Sequence, residues 1–310
     1  MTEINKRITG ALVGLAIGDA LGAPFENLTS DEVKSILPVG EFDYFGDSPD
    51  YRPGQGTDDT ELAFLVSGSL VEKRKLDMAD ISSRLVIWGK TQKSLGPSTG
   101  AGLRALEAGV HFRESGSTSK ASSGCLPRSM PIALVYPLET LVAHTIDCCL
   151  PTHRHPLALG ACVAQNLIIY TLITGLDWYA ALNTLNDLSL WKDYVDLYPI
   201  HKALRGEFKE PGAVDVLSEA IYCVSQAFDS EQAVSMAVRM GGDADTRAAT
   251  AGSLAGARWD GIFPKKWMNG CERYMESLKW AEQLSVLRQE FGHVTITEEA
   301  QNSSEDFHED

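Results

Sequence analysis

Glycines at positions 10, 14, 18 and 22 recur every fourth residue through an otherwise apolar stretch from Ile8 to Leu21. No other feature restricts the fold as much. Residues four apart share one helix face, so a helix over 5–22 carries a ridge of glycines. Each interior glycine costs about 1 kcal/mol against alanine, and close approach by another backbone or a ligand is the usual compensation. A second stretch, Asp245 to Ala257, repeats the spacing with Ala248, Gly252 and Gly256. Two arrangements are open: the small-faced helices pack near each other at the centre of the domain, or each packs on a different helix.

Helical periodicity runs through most of the chain. Apolar spacing predicts helices over 5–22, 60–75, 78–93, 99–109, 131–148, 156–174, 178–188, 214–228, 230–239, 246–258 and 265–290. Alternating strand patterns are scarce, and glycine and proline mark loops at 46–56, 94–98 and 114–127. No repeat at a fixed period and no linker divides the chain. The expectation is an all-α fold in one domain over 1–296, with an acidic, disordered tail over 297–310.

The 310 residues are 44% hydrophobic and 22% charged, enough for a large core, and the formal net charge is −15. So acidic a chain lacks the basic face that general nucleic-acid binding or an anionic membrane demands. Cysteines stand at 125, 148, 149, 162, 223 and 271 without disulfide-framework spacing. They read as free thiols of a cytoplasmic protein. Lys6 and Arg7 before the run Ile8 to Ile17 mimic a signal peptide, but Asp19 and the glycines interrupt it. No other stretch reaches the roughly 18 apolar residues of a membrane span, so the chain is expected to be unprocessed and to span no membrane.

Three acidic groups far apart in sequence share a setting. Glu26 follows the glycine helix. Thr57, Asp58, Asp59 and Thr60 follow Gly56, and Asp243, Asp245 and Thr246 follow Gly241 and Gly242. Glycine loops turn into helices at the last two, where Asp and Thr cap free backbone N–H groups. Capping accounts for one aspartate per helix, not two. If the motifs converge, Glu26, Asp58, Asp59, Asp243 and Asp245 bring a formal −5 into one pocket, and such repulsion demands cations. Oxygen donors without clustered Cys or His select Mg²⁺, Mn²⁺ or Ca²⁺ over zinc. Thr57 and Thr246 can add neutral hydroxyl ligands.

Four strings in order resemble the ADP-ribosylglycohydrolases: Gly-Leu-Ala-Ile-Gly-Asp-Ala-Leu-Gly at 14–22, Thr-Asp-Asp-Thr at 57–60, Thr-His-Arg-His-Pro at 152–156, and Gly-Gly-Asp-Ala-Asp-Thr at 241–246 with the small-residue helix after it. The resemblance runs from about residue 5 to 290. It implies a single orthogonal multi-helix bundle, a pair of Mg²⁺ or Mn²⁺ ions, and removal of ADP-ribose from a modified acceptor, most readily an arginine. Thr57, Asp58, Asp59, Asp243, Asp245 and Thr246 match the family's metal ligands, and Glu26 matches its acid/base or gating glutamate. The chemistry suits such a site: cleavage at the anomeric carbon builds oxocarbenium character and needs acid help and an activated water. Glu26, Asp58 and Asp59 are the candidates for proton transfer. The expected partner is an ADP-ribosylated protein or a small ADP-ribose conjugate.

Secondary sites follow the same comparison. Gly96, Ser98, Thr99, Gly100 and Gly102 lead into a helix whose amides can cradle a diphosphate, or they form a simple turn. Some family members have an aspartate where Thr99 stands. In Ser122-Ser-Gly-Cys-Leu-Pro-Arg128, Gly124 and Arg128 match a family loop, with Ser123 in place of its asparagine and Pro127 in place of its methionine. Arg128 reads as a phosphate or carboxylate partner, or as a surface arginine. Of His153 and His155, one is expected to cap the following helix and the other to face the ligand pocket. The family's adenine-stacking aromatic is missing from Glu210-Pro-Gly-Ala-Val-Asp215, which leaves Tyr51 or Trp191 as substitutes.

Two other readings compete. A non-catalytic relative that binds ADP-ribose or metal would also retain the carboxylates. Asp243-Ala-Asp245 as the Asp-x-Asp of a nucleotide-sugar glycosyltransferase would need an alternating β/α pattern, which the sequence lacks.

Overall fold

The computed structural model describes residues 1–37, 46, 51–186, 195–207, 209 and 211–291. Among them are sixteen α-helices. In chain order these are α1 (Glu3–Gly22), α2 (Ser30–Ile36), α3 (Asp58–Lys73), α4 (Met78–Gly89), α5 (Pro97–Glu107), α6 (Phe112–Ser115), α7 (Cys125–Val135) and α8 (Leu138–Cys149). There follow α9 (Pro156–Ile173), α10 (Trp178–Asn183), α11 (Tyr198–Leu204), α12 (Ala213–Gln226), α13 (Ser230–Arg239), α14 (Ala244–Arg258), α15 (Lys265–Gly270) and α16 (Tyr274–Glu290). No strand occurs among the described residues, and β pairing is limited to two isolated bridges, Thr29 with Gly241 and Ser117 with His153. The all-α expectation holds.

The two small-faced helices meet each other. A side chain at Gly10 would collide with the Gly256 carbonyl, one at Gly14 with Gly252, one at Gly18 with Ala248 and one at Gly22 with Ala244. The reverse holds too, since side chains at Gly252 and Gly256 would strike the carbonyls of Gly14 and Gly10. α1 and α14 thus lie backbone to backbone over four turns, which compensates the glycines' helix penalty and excludes separate partners for the two ridges. Around this pair, α3, α7, α9, α12, α13 and α16 bury one continuous apolar core. A smaller cluster, Leu62, Met78, Ile81, Leu85 and Leu103, joins α3, α4 and α5.

Several boundaries differ from expectation. The helix expected over 131–148 is two: Tyr136 is extended at φ −88°, ψ 144° because Pro137 follows it, and α7 begins earlier, at Cys125. The helix expected over 265–290 also divides, because Cys271 leaves helical geometry to bury its thiol against the Ala16 carbonyl while the Glu272 amide bonds Gly54. α2, α6 and α11 lie outside the periodic segments; α2 is opened by a Thr29/Glu32 capping box. Residues 187–188 of the expected 178–188 helix, residues 47–50 of the expected 46–56 loop and the whole 297–310 tail lie outside the described residues.

The apolar-run expectation needs one correction. Two helices, Glu3–Phe25 and Pro156–Ile173, are long and apolar enough to cross a membrane. Both are mostly buried inside the fold, and Gln165 and Asn166 of α9 spend their amides on Leu126, Ser129 and Thr145 in the core. Their apolarity serves a helix surrounded on all sides.

Candidate active site

The site begins one residue after Gly18. Asp19 is fully buried in α1 and its carboxylate reaches the start of α3. It accepts from the Thr57 amide at 2.9 Å, the Thr57 hydroxyl at 2.8 Å and the Thr60 amide at 3.1 Å, and from the Thr60 hydroxyl through a short bond. Thr57 caps α3 in its own right by accepting from the Asp59 amide at 3.2 Å. The free N–H groups of this helix end are therefore served by Thr57 and Asp19. Asp58 and Asp59, in the first turn, are not needed as caps. Gly56 leaves the space for this, since a Cβ there would stand 2.7 Å from Asp19 Oδ2.

The second motif arrives through Gly241 and Gly242, both left-handed at φ 69° and 64°. Two consecutive residues of that kind favour glycine. The turn is tied to the segment after Glu26: the Asn27 amide donates to Gly242 O at 2.7 Å, and the Gly242 amide to Leu28 O at 2.6 Å. Glu26, exposed at the end of the short 3₁₀ turn Ala23–Phe25, is thereby fixed beside the α14 N-terminus. Asp243 opens α14 without capping it, and accepts a short hydrogen bond from the Ser123 hydroxyl instead.

One oxygen each from Asp19, Asp59 and Asp245 lies within 4.8 Å of the others. Asp59 Oδ2 and Asp245 Oδ1 are buried without a hydrogen-bond partner. Both oxygens of Asp19 are taken by the threonines, so Asp19 serves chiefly to position α3, while Asp59 and Asp245 hold the open lone pairs. Burial and mutual repulsion show in the proton affinities. Burial, then Asp245 and Asp58, push the Asp59 carboxyl well above the usual range. Burial, then Asp243 and Glu26, do the same to Asp245. Asp58 is raised as well, mainly by burial. Asp19 is pushed up to about 6 by burial, against the pull of its threonine hydrogen bonds. Tyr51, half-buried, is raised by burial and by Asp58, Glu26, Asp245 and Asp19.

The loop residues are joined to this centre in sequence. Ser98 and Thr99 are buried in the first turn of α5, and the Ser122 hydroxyl donates to Ser98 at 2.7 Å. Gly100 follows on the same helix, and Gly102 lies against Pro151 and Thr152, where a side chain would collide. Ser123 leads to Asp243, and Ala121 accepts from the Ala213 amide at 2.7 Å, next to Gly212. The segment where the family's aromatic is missing thus adjoins the Ser122–Ser123 turn. Trp191 lies outside the described residues.

Arg128 departs from both its readings. It is fully buried, neither a surface residue nor open to a phosphate, and it donates to Thr152 Oγ1 at 2.5 Å and to the carbonyls of Cys148 and Cys149 at 3.3 and 3.1 Å. Thr152 and the two carbonyls at the end of α8 take up Nη1 and Nη2, and the charge favours the ionised form of Asp58. His155 caps α9 by accepting from the Leu157 amide. His153 is buried beside Thr152, and its Cε1 would stand 4.0 Å from a Cβ on Gly124. Burial and Arg128 push its pKa down to about 3, so the imidazole is neutral. Asp19 and Thr60 are the site residues that the sequence reading passed over. The signal was present: one charge in the otherwise uncharged run from Ile8 to Gly22.

A helical frame that gathers aspartates from three helix segments into one buried, oxygen-only cluster places the chain among proteins built around a carboxylate centre. Comparison gives the family. The model described as ADP-ribosylglycohydrolase matches residues 1–296, and the chain belongs to that family. It is 31% identical over 282 residues to the ADP-ribosyl-[dinitrogen reductase] glycohydrolase of Rhodospirillum rubrum, covering 88% of this chain and 93% of the relative. It is 27% identical to the ADP-ribosylarginine hydrolase Tri1 of Serratia proteamaculans, covering 93% and 81%. A solved structure described as an ADP-ribosylglycohydrolase-related protein complex superposes with a TM-score of 0.79 at 28% identity, covering 93% of this chain and all of that one. Family and relatives together indicate hydrolysis of ADP-ribose conjugates.

Proposed function

We propose that the protein is a metal-dependent hydrolase that cleaves the bond between the anomeric carbon of ADP-ribose and a modified protein side chain, with arginine as the acceptor. The observation that carries the metal is the pair of orphaned oxygens, Asp59 Oδ2 and Asp245 Oδ1, buried in one cluster. Unpartnered carboxylate oxygens in a low-dielectric site are expensive unless a cation meets them. The donors are all hard oxygens, which fit Mg²⁺ or Mn²⁺. Asp58, Asp59, Asp243 and Asp245 would hold two such ions, with Thr57 and Thr246 as neutral donors. When bound, the ions supply Lewis-acid charge to the ribose hydroxyls and to the attacking water.

The remaining roles belong to the chain. Ser123 orients Asp243 through its hydroxyl. Asp19 holds the first turn of α3 so that Asp58 and Asp59 face α14. Glu26, exposed and tied to the Gly241–Gly242 turn, is placed to carry a proton between solvent and the acceptor. The N-terminus of α5, with Ser98, Thr99 and Gly100, offers amides to the diphosphate. The six free thiols support a reducing, cytoplasmic setting.

Calorimetric titration of ADP-ribose tests this reading, using metal-free protein, Mg²⁺-loaded protein and Mg²⁺-loaded Asp245→Asn. Binding is expected in the second sample alone. Hydrolysis of an ADP-ribosylated arginine peptide, compared with a serine-linked one, then reads the acceptor. Equal binding with and without Mg²⁺ would remove the metal from the proposal.

A further inference from the structure

Three cysteines from three helices converge at a second place. Cys125 opens α7, Cys149 closes α8 and Cys162 lies within α9. All three are fully buried. Their sulfurs lie within 4.8 Å of one another, and those of Cys125 and Cys162 are 3.3 Å apart. A central ion with metal–sulfur bonds of about 2.3 Å sets three trigonal sulfurs about 4.0 Å apart. The Cys125–Cys162 separation is shorter than that value, and no separation among the three exceeds 4.8 Å.

Arg128 adds an independent observation. Its guanidinium is fully buried, its hydrogen bonds run to one hydroxyl and two carbonyls, all neutral, and its Nε has no partner. A buried cation bound to neutral oxygens is stabilised by an anion nearby. The thiol cluster sits at the same α8 end, since two of the accepting carbonyls belong to Cys148 and Cys149.

We propose that Cys125, Cys149 and Cys162 form a buried site for a soft, thiophilic cation of the Cu(I) class. Thiolate donors select such ions. No fourth His, Cys, Asp or Glu joins the three within 4.8 Å among the described residues. Three donors suit an ion that accepts trigonal coordination, whereas zinc in structural sites takes four. Cu(I) held by two thiolates and one thiol carries a net −1, which Arg128 offsets, and two protons leave on binding. Ser123 and Gly124 directly precede Cys125, so an ion there would fix the turn that presents Ser123 to Asp243. The site shares no donor with the carboxylate cluster, and its test is independent of the proposed activity.

The experiment is an anaerobic titration of the reduced protein with Cu(I) buffered by bicinchoninate, read by chelator colour, by thiolate-to-copper absorption in the ultraviolet and by thermal midpoint. One Cu(I) per chain is expected to leave the chelator, with a rise in midpoint. Cys162→Ala is expected to weaken binding by at least about 100-fold, and Cys271→Ala, outside the cluster, to bind as the parent does. If circular dichroism shows Cys162→Ala unfolded, Cys149→Ala replaces it. No transfer of copper, equal binding by the cluster variant, or Zn²⁺ held in preference to Cu(I) would each overturn the proposal.

Discussion

Thr57 and Asp19, 38 residues apart, are joined twice: the threonine amide and hydroxyl donate to the two oxygens of the aspartate, at 2.9 and 2.8 Å. α1 thereby caps α3 from outside it. A helix end capped by a neighbour has its first-turn carboxylates to spare, and Asp58 and Asp59 are those carboxylates.

Removing that cap exposes its worth. Asp19→Ala leaves two amides and two hydroxyls buried without their acceptor, and urea unfolding is expected to show a loss of about 3 kcal/mol or more. Asp31→Ala, on the exposed face of α2, is expected to stay within about 0.5 kcal/mol of the parent. A loss below about 1 kcal/mol for Asp19→Ala would mean that water serves α3 equally well.

The glycine ridge makes a sharper demand. Gly14→Ala and Gly18→Ala drive a methyl into the carbonyls of Gly252 and Ala248, where only backbone movement gives relief. Each is expected to destabilise by about 3 kcal/mol. Gly96→Ala, with open space around it and φ −53°, is expected to be nearly neutral. Thermal melts of the three variants decide the matter, and equal midpoints would contradict the contact of α1 with α14.

The pH dependence of the metal-free protein has a definite sign. A carboxyl whose folded pKa is raised binds more protons in the folded state than in the unfolded one, so its contribution is full below about pH 4 and is lost as pH rises through the folded value. For Asp19, raised from 3.8 to about 6, the loss is about 3 kcal/mol. Asp59 and Asp245 add in the same direction at higher pH. Stability in EDTA is therefore expected to fall from pH 5 to pH 8, and Mg²⁺ to restore it. Asp245→Asn in EDTA at pH 8 is expected to exceed the parent by about 1–2 kcal/mol and to gain nothing from Mg²⁺. A variant less stable than the parent in EDTA would show that the cluster is not under charge strain.

Ser123→Ala removes the hydroxyl that Asp243 accepts. Its circular dichroism spectrum and midpoint are expected to match the parent, while kcat/KM on ADP-ribosylated arginine falls about tenfold, the loss of one hydrogen bond. Unchanged turnover would show that Asp243 is oriented without Ser123.

Much of this was legible in the residues. The four-residue spacing of glycines announced a backbone contact, and the pairing of aspartates at helix starts announced more charge than capping requires. Most of what stayed hidden depends on neighbours distant in sequence. Asp19 looked like an interruption because its partners, Thr57 and Thr60, belong to another helix. Arg128 gave no sign of burial, since its acceptors are carbonyls at the end of α8, which no side-chain pattern encodes. The breaks at Tyr136 and Cys271 arose from a following proline in the first case and a tertiary hydrogen bond in the second, and apolar periodicity registers neither.

The contact between α1 and α14 also acts as a gauge. Asp19 stands one residue past Gly18 and Asp245 one past Ala244, and both reference points are backbone atoms pressed on backbone atoms. No side chain lies between them to flex or repack. A slip by half a helical turn would shift the carboxylates by about 2.7 Å and would take the glycines out of register with the carbonyls they face. The spacing of the charges is thus machined into the main chain, and mutation cannot retune it without loosening the centre of the molecule.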